Sequence, residues 1–275
     1  MKQFVVVLGD VHAEIPLAVE ALDRLEKELG APIVQTFSVG DLGLFFTPKD
    51  WEFLTGPKKY RFPERSAKIT AAWRNWRWPL AAIAGNHEPF HRLRQFDADY
   101  FGDNLTYTNA GELDHSIEGL RVYGLSGIHD PEHLEFTIPG ESLWREGIRS
   151  WDELLNAVQE NRASVKRLTY YKNSELKRLR SLPASPHLLL LHDWPETPEG
   201  VTDIHERPER ELVADVRPSW VCAGHHHRPA RFTSGSSECI ALNIIGEGHR
   251  VLPGWAAVFT WDGSRLNFVR SWPEA

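Results

Sequence analysis

The chain has little cysteine, no long apolar run and no leader-like segment, and each absence excludes a class of protein. Its 275 residues include only two cysteines, Cys222 and Cys239, which argues against a small disulfide-stabilised scaffold. The longest apolar runs, at 4–8 and 188–191, are far too short to span a bilayer. We therefore expect a cytoplasmic protein without a membrane partner, and nothing in the sequence implies an obligate protein partner.

An excess of positive charge is also missing. Lysine and arginine total 31 against 38 acidic residues, a formal net charge of -7, so the molecule as a whole should not attract polyanions. Any nucleic-acid site must be a local patch. The segment 57–78 is such a patch, with seven basic residues against Glu64 alone and with Trp73, Trp76 and Trp78 interleaved. It predicts either a surface that stacks unpaired bases or an amphipathic helix whose tryptophans are core, and the sequence favours neither.

Internal repeats and low-complexity linkers are absent, so we predict one domain, 1–275, with insertions at about 45–78 and 129–182. The run 4–8 predicts a strand buried on both faces, and helical spacing from Leu17 to Leu29 predicts a helix that stops at Gly30. Further strands are predicted at 33–39, 79–84 and 187–191, which indicates an α/β opening.

The second half has a different pattern. From about residue 112 short apolar runs become frequent, with Asp262-Gly263 as a turn between the last two, and we expect antiparallel sheet there. Apolar residues at helical spacing in 151–182 predict a long helix, either continuous or broken.

The chemistry-bearing residues form five clusters, and each cluster follows an apolar strand. They are Gly9-Asp10-Val11-His12, Gly40-Asp41-Leu42-Gly43, Gly85-Asn86-His87-Glu88, His192-Asp193 and Gly224-His225-His226-His227. Loops beyond the carboxyl ends of strands converge on one crevice in an α/β sheet, so these clusters can meet in space. Any one of them could be an ordinary strand-end turn, but all five together favour a shared site.

The residue types in the clusters favour a metal site. One residue separates Asp10 from His12, and one residue separates His225 from His227. In an extended turn each pair can therefore present two side chains to one ion. Imidazole, carboxylate and amide donors suit Mn²⁺, Fe²⁺, Zn²⁺ or Ni²⁺, and two such divalent transition-metal ions can activate a water for attack on phosphorus. His226 should point away from its neighbours, so we interpret it as structural.

In order and composition the five clusters resemble those of the calcineurin-like metallophosphoesterases. The resemblance implies a four-layer α/β/β/α sandwich of two mixed β-sheets flanked by helices. It also implies that Asp10, His12 and His227 hold one metal and that Asn86, His192 and His225 hold the other. By the same resemblance Asp41 bridges the two ions and His87 is the catalytic histidine, with Glu88 or Asp193 as the residue that orients it.

A narrower resemblance is to RNA lariat debranching enzymes, which cleave 2′,5′-phosphodiester branches. It rests on Pro57-Lys58-Lys59-Tyr60-Arg61, on the Gly85 cluster, on 119–128, and on His192-Asp193-Trp194-Pro195. It implies an RNA or nucleotide substrate, with Lys59, Tyr60 and Arg61 binding it. Asp10 stands where that family usually has cysteine, and this favours full occupancy by two metals.

Two other functions fit the same clusters. A phosphomonoesterase of the serine/threonine phosphatase type shares all of them, although the basic, tryptophan-rich insertion disfavours a peptide groove. A metal-binding scaffold without activity is the other, but no ligand position is missing and His87 is present. The sequence therefore predicts a two-metal phosphodiesterase first.

Overall fold

The structure, a computed structural model, describes residues 3–94, 98–131, 135–136, 143, 146–197, 207–247 and 250–274. Its strands are β1 (Gln3–Leu8), β2 (Ile33–Ser38), β3 (Leu80–Ala82), β4 (Leu105–Tyr107), β5 (Ala110–Glu112), β6 (Val122–Leu125), β7 (Leu188–Leu191), β8 (Trp220–Ala223), β9 (Ala230–Ser234), β10 (Ser237–Ala241), β11 (Gly246–Glu247), β12 (Arg250–Val251), β13 (Ala256–Trp261) and β14 (Leu266–Trp272). Its α-helices are α1 (Ile15–Leu29), α2 (Ser66–Trp73), α3 (Phe90–Leu93), α4 (Ala98–Phe101), α5 (Trp151–Gln159), α6 (Asn173–Arg180) and α7 (Pro208–Val216). Shorter 3₁₀ helices span Pro48–Phe53, Lys58–Tyr60, Pro63–Arg65 and Val165–Thr169.

The predicted opening strand and helix are both present. A proline lies in the first turn of α1, where its missing N–H costs no hydrogen bond. The helix ends at Gly30, whose φ of 64° is left-handed and whose N–H bonds the carbonyls of Glu26 and Lys27. Because the chain reverses direction after this stop, β2 returns to the sheet parallel to β1.

Two six-stranded mixed sheets organise the molecule, in the orders β14-β13-β1-β2-β3-β4 and β5-β6-β7-β8-β10-β9. Strands β1 to β4 are parallel in the first sheet, and β6, β7, β8 and β10 are parallel in the second. Their carboxyl ends therefore lie at one edge of each sheet. The predicted fold of two mixed sheets flanked by helices is confirmed.

Alternate side chains of β1 show how the layers stack. Val5 and Val7 belong to a core shared with Leu188 and Leu190 of the second sheet, so this core lies between the sheets. Val6, their neighbour in the chain, instead joins the core that contains the buried face of α1. A third core packs α6 and α7 on the outer face of the second sheet. The order of layers is α/β/β/α.

The prediction of antiparallel pairing after residue 112 was only partly correct. The hairpin β13–β14 is antiparallel, and Asp262 accepts the backbone N–H groups of Ser264 and Arg265 in its turn. The pairs β6–β7 and β7–β8 are parallel instead, because long segments that contain helices separate these strands. Apolar run length alone does not reveal that difference.

The predicted helix at 151–182 is broken into α5, a 3₁₀ helix and α6. Asn161 has a left-handed φ of 59°, which interrupts the helix after α5. Ser164 then caps the 3₁₀ helix by accepting the N–H of Lys166. Part of the predicted insertion at 129–182 lies outside the described residues. Among the helices that the structure describes, none is both long and apolar enough to cross a bilayer.

Candidate metal centre

The five sequence clusters meet where the parallel strands of both sheets end. Asp10 follows β1, Asp41 follows β2 and Asn86 follows β3, while His192 and His225 follow β7 and β8 of the second sheet. Because the two sheets are stacked with these edges on the same side, loops far apart in sequence form one cluster. The structure thus brings together the residues that the sequence nominates as ligands.

Asp10, His12 and His227 form the first half of the cluster. The Oδ2 atom of Asp10 lies 2.9 Å from Nε2 of His227 and 3.7 Å from Nε2 of His12. The two imidazole Nε2 atoms are themselves 3.0 Å apart. Asp10 is fully buried, whereas both histidines are partly exposed. One carboxylate and two imidazoles therefore point at a common position that solvent can reach.

Asn86, His192 and His225 form the second half. The Oδ1 atom of Asn86 lies 3.0 Å from Nε2 of His192, whose ring centroid is 5.1 Å from that of His225. The other ring nitrogen of His192 lies 2.8 Å from the carbonyl oxygen of Val39, which fixes the ring and leaves Nε2 facing the cluster. The backbone N–H of His225 donates to Asp10, 3.0 Å away, and this bond joins the two halves.

Asp41 lies between the halves. Its Oδ2 atom is 3.5 Å from Nε2 of His12 and 3.5 Å from Nε2 of His192. This oxygen is buried and accepts no hydrogen bond from the described residues, although a buried carboxylate oxygen without a partner is costly. The other oxygen accepts the backbone N–H of His87 at 2.7 Å. A cation on each side of Oδ2 would satisfy it, so the donor set fits the divalent ions that the resemblance implies.

Two glycines make room for these carboxylates. A Cβ atom on Gly85 would lie 2.1 Å from Oδ1 of Asp41, and one on Gly224 would lie 2.1 Å from Oδ1 of Asp10. Both distances are far inside van der Waals contact. The glycines that open the third and fifth clusters are therefore required by the close packing of acidic side chains against the backbone.

The backbone of the ligand loops is strained. Left-handed φ angles occur at His12 (47°), Asp41 (52°), His225 (67°) and His227 (53°), although residues with a Cβ rarely adopt them. Such conformations cost free energy and persist only where surrounding contacts impose them. The strain falls on four of the nominated ligands, which is typical of a site arranged for binding.

Glu88 is one of the contacts that impose this geometry. Its buried carboxyl group accepts the backbone N–H groups of Leu42 at 2.7 Å and Gly43 at 3.0 Å, directly after Asp41. Burial and the nearby charge of Asp41 raise the pKa of Glu88 to about 8. Sequence reasoning suggested Glu88 as a partner of His87, but the structure places it under the Asp41 loop.

Opposite charges inside the cluster shift its pKa values. Burial alone would raise the pKa of Asp41, but neighbouring His192 and His87 outweigh it and hold that pKa well below its usual range. Burial opposes the charged form of His192, yet Asp41 raises the pKa of this imidazole to about 10. Burial lowers the pKa of His225 to about 4. Protons and cations therefore compete for the same nitrogen atoms.

His87 lies at the rim of the cluster. Its ring centroid is 5.2 Å from that of His12, and its Nε2 atom is 3.0 Å from the amide nitrogen of Asn86. Its Nδ1 atom lies 3.4 Å from the hydroxyl oxygen of Thr55, a neighbour that sequence reasoning missed because no motif marks it. Burial lowers the pKa of His87. The side chain can reach a group bound at the centre.

Asp193, the other suggested partner of His87, contacts His226 instead. Its Oδ1 atom lies 2.8 Å from Nε2 of His226 and accepts a hydrogen bond from Arg207 at 3.0 Å. His226 also packs against Trp194, with ring centroids 4.5 Å apart. These contacts agree with the structural interpretation of His226.

The basic segment divides into an exposed turn and a helix with one buried face. Tyr60 is 54% exposed and Lys59 lies over its ring at 5.0 Å, while Arg61 donates to the carbonyl of Leu54 at 3.2 Å. This turn follows Gly56, where a Cβ would lie 3.7 Å from Cε1 of His87. The three tryptophans of the segment are buried, so of the two alternatives that the sequence left open the structure supports tryptophans in the core and not a stacking surface. They pack in the core that includes the buried face of α2.

A sequence profile described as calcineurin-like phosphoesterase matches residues 5–229, a range that holds all the nominated ligands. The chain belongs to the calcineurin-like phosphoesterase family. This confirms the resemblance found in the sequence, and it indicates an enzyme that acts on phosphoester bonds. The family also implies divalent metal ions, for which the cluster provides the donors.

Relatives of the chain within this family include lariat debranching enzymes. That of Mus musculus is 24% identical over 196 residues, which cover 70% of this chain and 32% of the mouse protein. That of Caenorhabditis briggsae is 24% identical over 257 residues, which cover 82% of this chain and 46% of the other. The chain thus spans from about a third to just under a half of the length of these relatives.

Among solved structures, the protein TT1561 of Thermus thermophilus superposes with a TM-score of 0.50 and 13% identity. The match covers 98% of this chain and 99% of that one. At this level of identity the match shows similarity of fold alone, and the superposition agrees with the two-sheet architecture described above.

Proposed function

We propose that the chain hydrolyses phosphodiester bonds with the help of two divalent transition-metal ions. The observation that carries the proposal is the buried Oδ2 atom of Asp41, which accepts no hydrogen bond from the described residues and is equidistant at 3.5 Å from His12 and His192. An oxygen in that position suits a bridge between two cations. Bound ions would activate a water as nucleophile and neutralise charge on the phosphate.

The ligands divide between the two sides of Asp41. Asp10, His12 and His227 would hold one ion, and Asn86, His192 and His225 the other. Four imidazoles with carboxylate and amide oxygens favour Mn²⁺, Fe²⁺, Zn²⁺ or Ni²⁺ over Mg²⁺ or Ca²⁺. His192 and His225 must be neutral to bind, so the ions would displace the proton that Asp41 now favours on His192.

His87 would act on the leaving group. It is outside both ligand sets, yet it borders Asn86 and His12. Burial lowers its pKa, but an anionic phosphate next to the ring would favour the protonated form. The imidazolium could then hydrogen-bond the phosphate and give its proton to the departing alkoxide.

The proposed substrate is RNA or a related nucleotide, with cleavage at a 2′,5′ linkage. Support comes from relatives named lariat debranching enzyme and from the turn Lys59-Tyr60-Arg61, which is exposed at Tyr60 and follows Gly56, the residue that faces His87. An exposed tyrosine flanked by cations can stack an unpaired base and contact its phosphate. The chain as a whole carries a negative balance, so a local basic turn such as this one is where an RNA would bind.

The test compares three substrates with the purified protein: a 2′,5′-branched RNA, a linear 3′,5′ RNA and a phosphoserine peptide. Each is assayed after reconstitution with Mn²⁺, Fe²⁺, Zn²⁺ or Ni²⁺, with bound metal measured by elemental analysis. We expect about two ions per chain and the highest kcat/KM on branched RNA. Preference for the peptide would replace the proposal with a phosphomonoesterase, and metal binding without turnover of any substrate would indicate a scaffold.

A further inference from the structure

Residues 47–61, here called the recognition segment, form the side of the site next to His87. Apart from two 3₁₀ helices the segment has no regular structure, and it takes part in neither six-stranded sheet. Its tip is exposed at Tyr60, but Asp50, Trp51 and Phe53 on its underside are buried. Side chains below the segment must therefore define its position.

Asp50 is the centre of these contacts. Its side chain is fully buried, and its Oδ2 atom accepts the backbone N–H of Thr47 at 2.6 Å and the hydroxyl of Tyr100. Its Oδ1 atom lies 3.0 Å from Nε2 of His91. One carboxylate thus connects the start of the segment to α3 and to α4.

Ring stacking strengthens the same connection. Phe53 lies on the ring of His91 with centroids 3.8 Å apart and planes 20° apart. Phe46, just before the segment, stacks on Tyr100 at 5.0 Å, and its backbone N–H donates to the Tyr100 hydroxyl at 3.1 Å. His91 and Tyr100 therefore each contact this region both through a polar atom and through a ring.

The connection continues to the catalytic side. Directly after Phe53, the carbonyl of Leu54 accepts a hydrogen bond from Arg61, which ties the exposed turn back to the anchored part. Thr55 comes next, with its hydroxyl 3.4 Å from Nδ1 of His87. His91 itself is four residues after His87 in the chain. Asp50 therefore connects the recognition segment to α3, the helix that directly follows the loop carrying His87.

We propose that Asp50, together with His91 and Tyr100, is a positioning group that fixes the recognition segment relative to His87 and thereby sets the affinity for a polynucleotide chain. The inference rests on the proposed function. A small phosphodiester reaches the metal centre without touching the exposed turn, so its hydrolysis should not depend on this group. A nucleic acid must contact both places at once, and its binding should depend on their spacing.

A carboxylate suits this role because it stays charged. Burial alone would raise the pKa of Asp50, but contacts with His91, Tyr100 and Thr47 outweigh burial and hold the pKa below its usual value. Hydrogen bonds to a charged acceptor are shorter and stronger than bonds between neutral groups. Asparagine has the same shape but offers one acceptor atom instead of two.

The experiment measures kcat and KM of Asp50→Asn and Tyr100→Phe on a 2′,5′-branched RNA and on bis-nitrophenyl phosphate, with metal content determined in parallel. Loss of one hydrogen bond to a charged group predicts a rise in KM for RNA of roughly 10-fold. Tyr100→Phe removes this bond to Asp50 and also the bond that the Tyr100 hydroxyl accepts from the Phe46 N–H. For the small diester we expect unchanged metal content and kcat and KM within about 2-fold of wild type. A change of about 2-fold is the size of the coupling usually found between distant, independent sites. Tyr100→Phe carries the test if Asp50→Asn does not fold.

Tyr171→Phe is the matched control. Tyr171 donates to buried Glu209 at 2.7 Å, so the control removes a similar tyrosine–carboxylate bond outside the recognition segment. It should lower the melting temperature without changing the ratio of the two KM values. Equal losses on both substrates in Tyr100→Phe, or the same RNA defect in Tyr171→Phe, would overturn the inference. A wild-type protein inactive on both substrates would instead overturn the proposed function.

Discussion

The metal centre and the recognition segment both border His87, but they are built in opposite ways. The centre consists of loops that follow buried parallel strands, with glycines and left-handed residues at fixed places in short motifs. The segment has an exposed tip and depends on one buried carboxylate that contacts residues about 40 to 50 positions further along the chain. Chemistry is thus encoded locally, whereas the surface beside it is held by distant side chains.

The largest effect expected is from Asp41→Asn. Asparagine keeps the shape but removes the charge that would bridge both ions, so kcat/KM on every phosphodiester should fall by more than the roughly 10⁴-fold upper limit for losing one general acid. Elemental analysis should find less than one ion per chain. His227→Ala, which removes one terminal ligand, is the comparison. If the two variants were equally active, Asp41 would not be a bridge.

His87→Ala should have the next largest effect. Loss of a general acid predicts a fall in kcat of roughly 10²- to 10⁴-fold, while metal content stays at the wild-type level because His87 is outside both ligand sets. Steady-state kinetics and elemental analysis on the same preparation measure the two quantities. Loss of metal in this variant would reassign His87 as a ligand.

Glu88→Gln tests the support beneath the Asp41 loop. The amide can accept only one of the two backbone N–H groups that the carboxyl group of Glu88 now accepts. Loss of such support around a metal site predicts a decrease of about 10- to 100-fold in metal affinity. A metal titration followed by activity measures it. Wild-type affinity would mean that the strained φ of Asp41 is maintained without Glu88.

Tyr60→Ala changes the recognition segment at its tip and should affect RNA alone. Loss of one stacked base predicts a rise in KM for branched RNA of about 10-fold, with no change for bis-nitrophenyl phosphate. Tyr60→Phe keeps the ring and should behave like wild type. An RNA defect of equal size in Tyr60→Phe would show that the hydroxyl matters and not stacking.

Glu209→Gln gives the smallest effect on activity and serves as a reference outside both regions. Burial, followed by the charge of Asp193, raises the pKa of Glu209 from 4.5 to about 7. Because the pKa is higher in the folded state, protonated Glu209 stabilises the native state fully below pH 4.5. This contribution to the free energy of unfolding is lost as the pH rises from 4.5 to about 7. The loss is at most about 3 kcal/mol.

Thermal unfolding between about pH 4 and pH 8 measures this contribution. Across that window the melting temperature of wild type should fall relative to that of Glu209→Gln. The two proteins should have the same activity per folded molecule. Parallel curves for the two proteins would contradict the shifted pKa.

The strand ends and the ligand motifs were determined by the sequence alone, because these depend on neighbouring residues. A buried strand followed by glycine and a polar pair is visible in the printed chain, and the structure brings Asp10, Asp41 and His192 within reach of one another. The helix stop at Gly30 was predicted for the same reason. Local steric rules are sufficient for such features.

Only the tertiary structure decided how these elements pair and what lies beneath them. A run of apolar residues has the same pattern in a parallel and in an antiparallel pair, so the orientation of β6 to β8 could not be read from it. The burial of Trp73, and the contacts of Asp50 with His91 and Tyr100, join segments that chain folding brings together from far apart. No local pattern marks such contacts, because each residue alone fits a surface as well as a core.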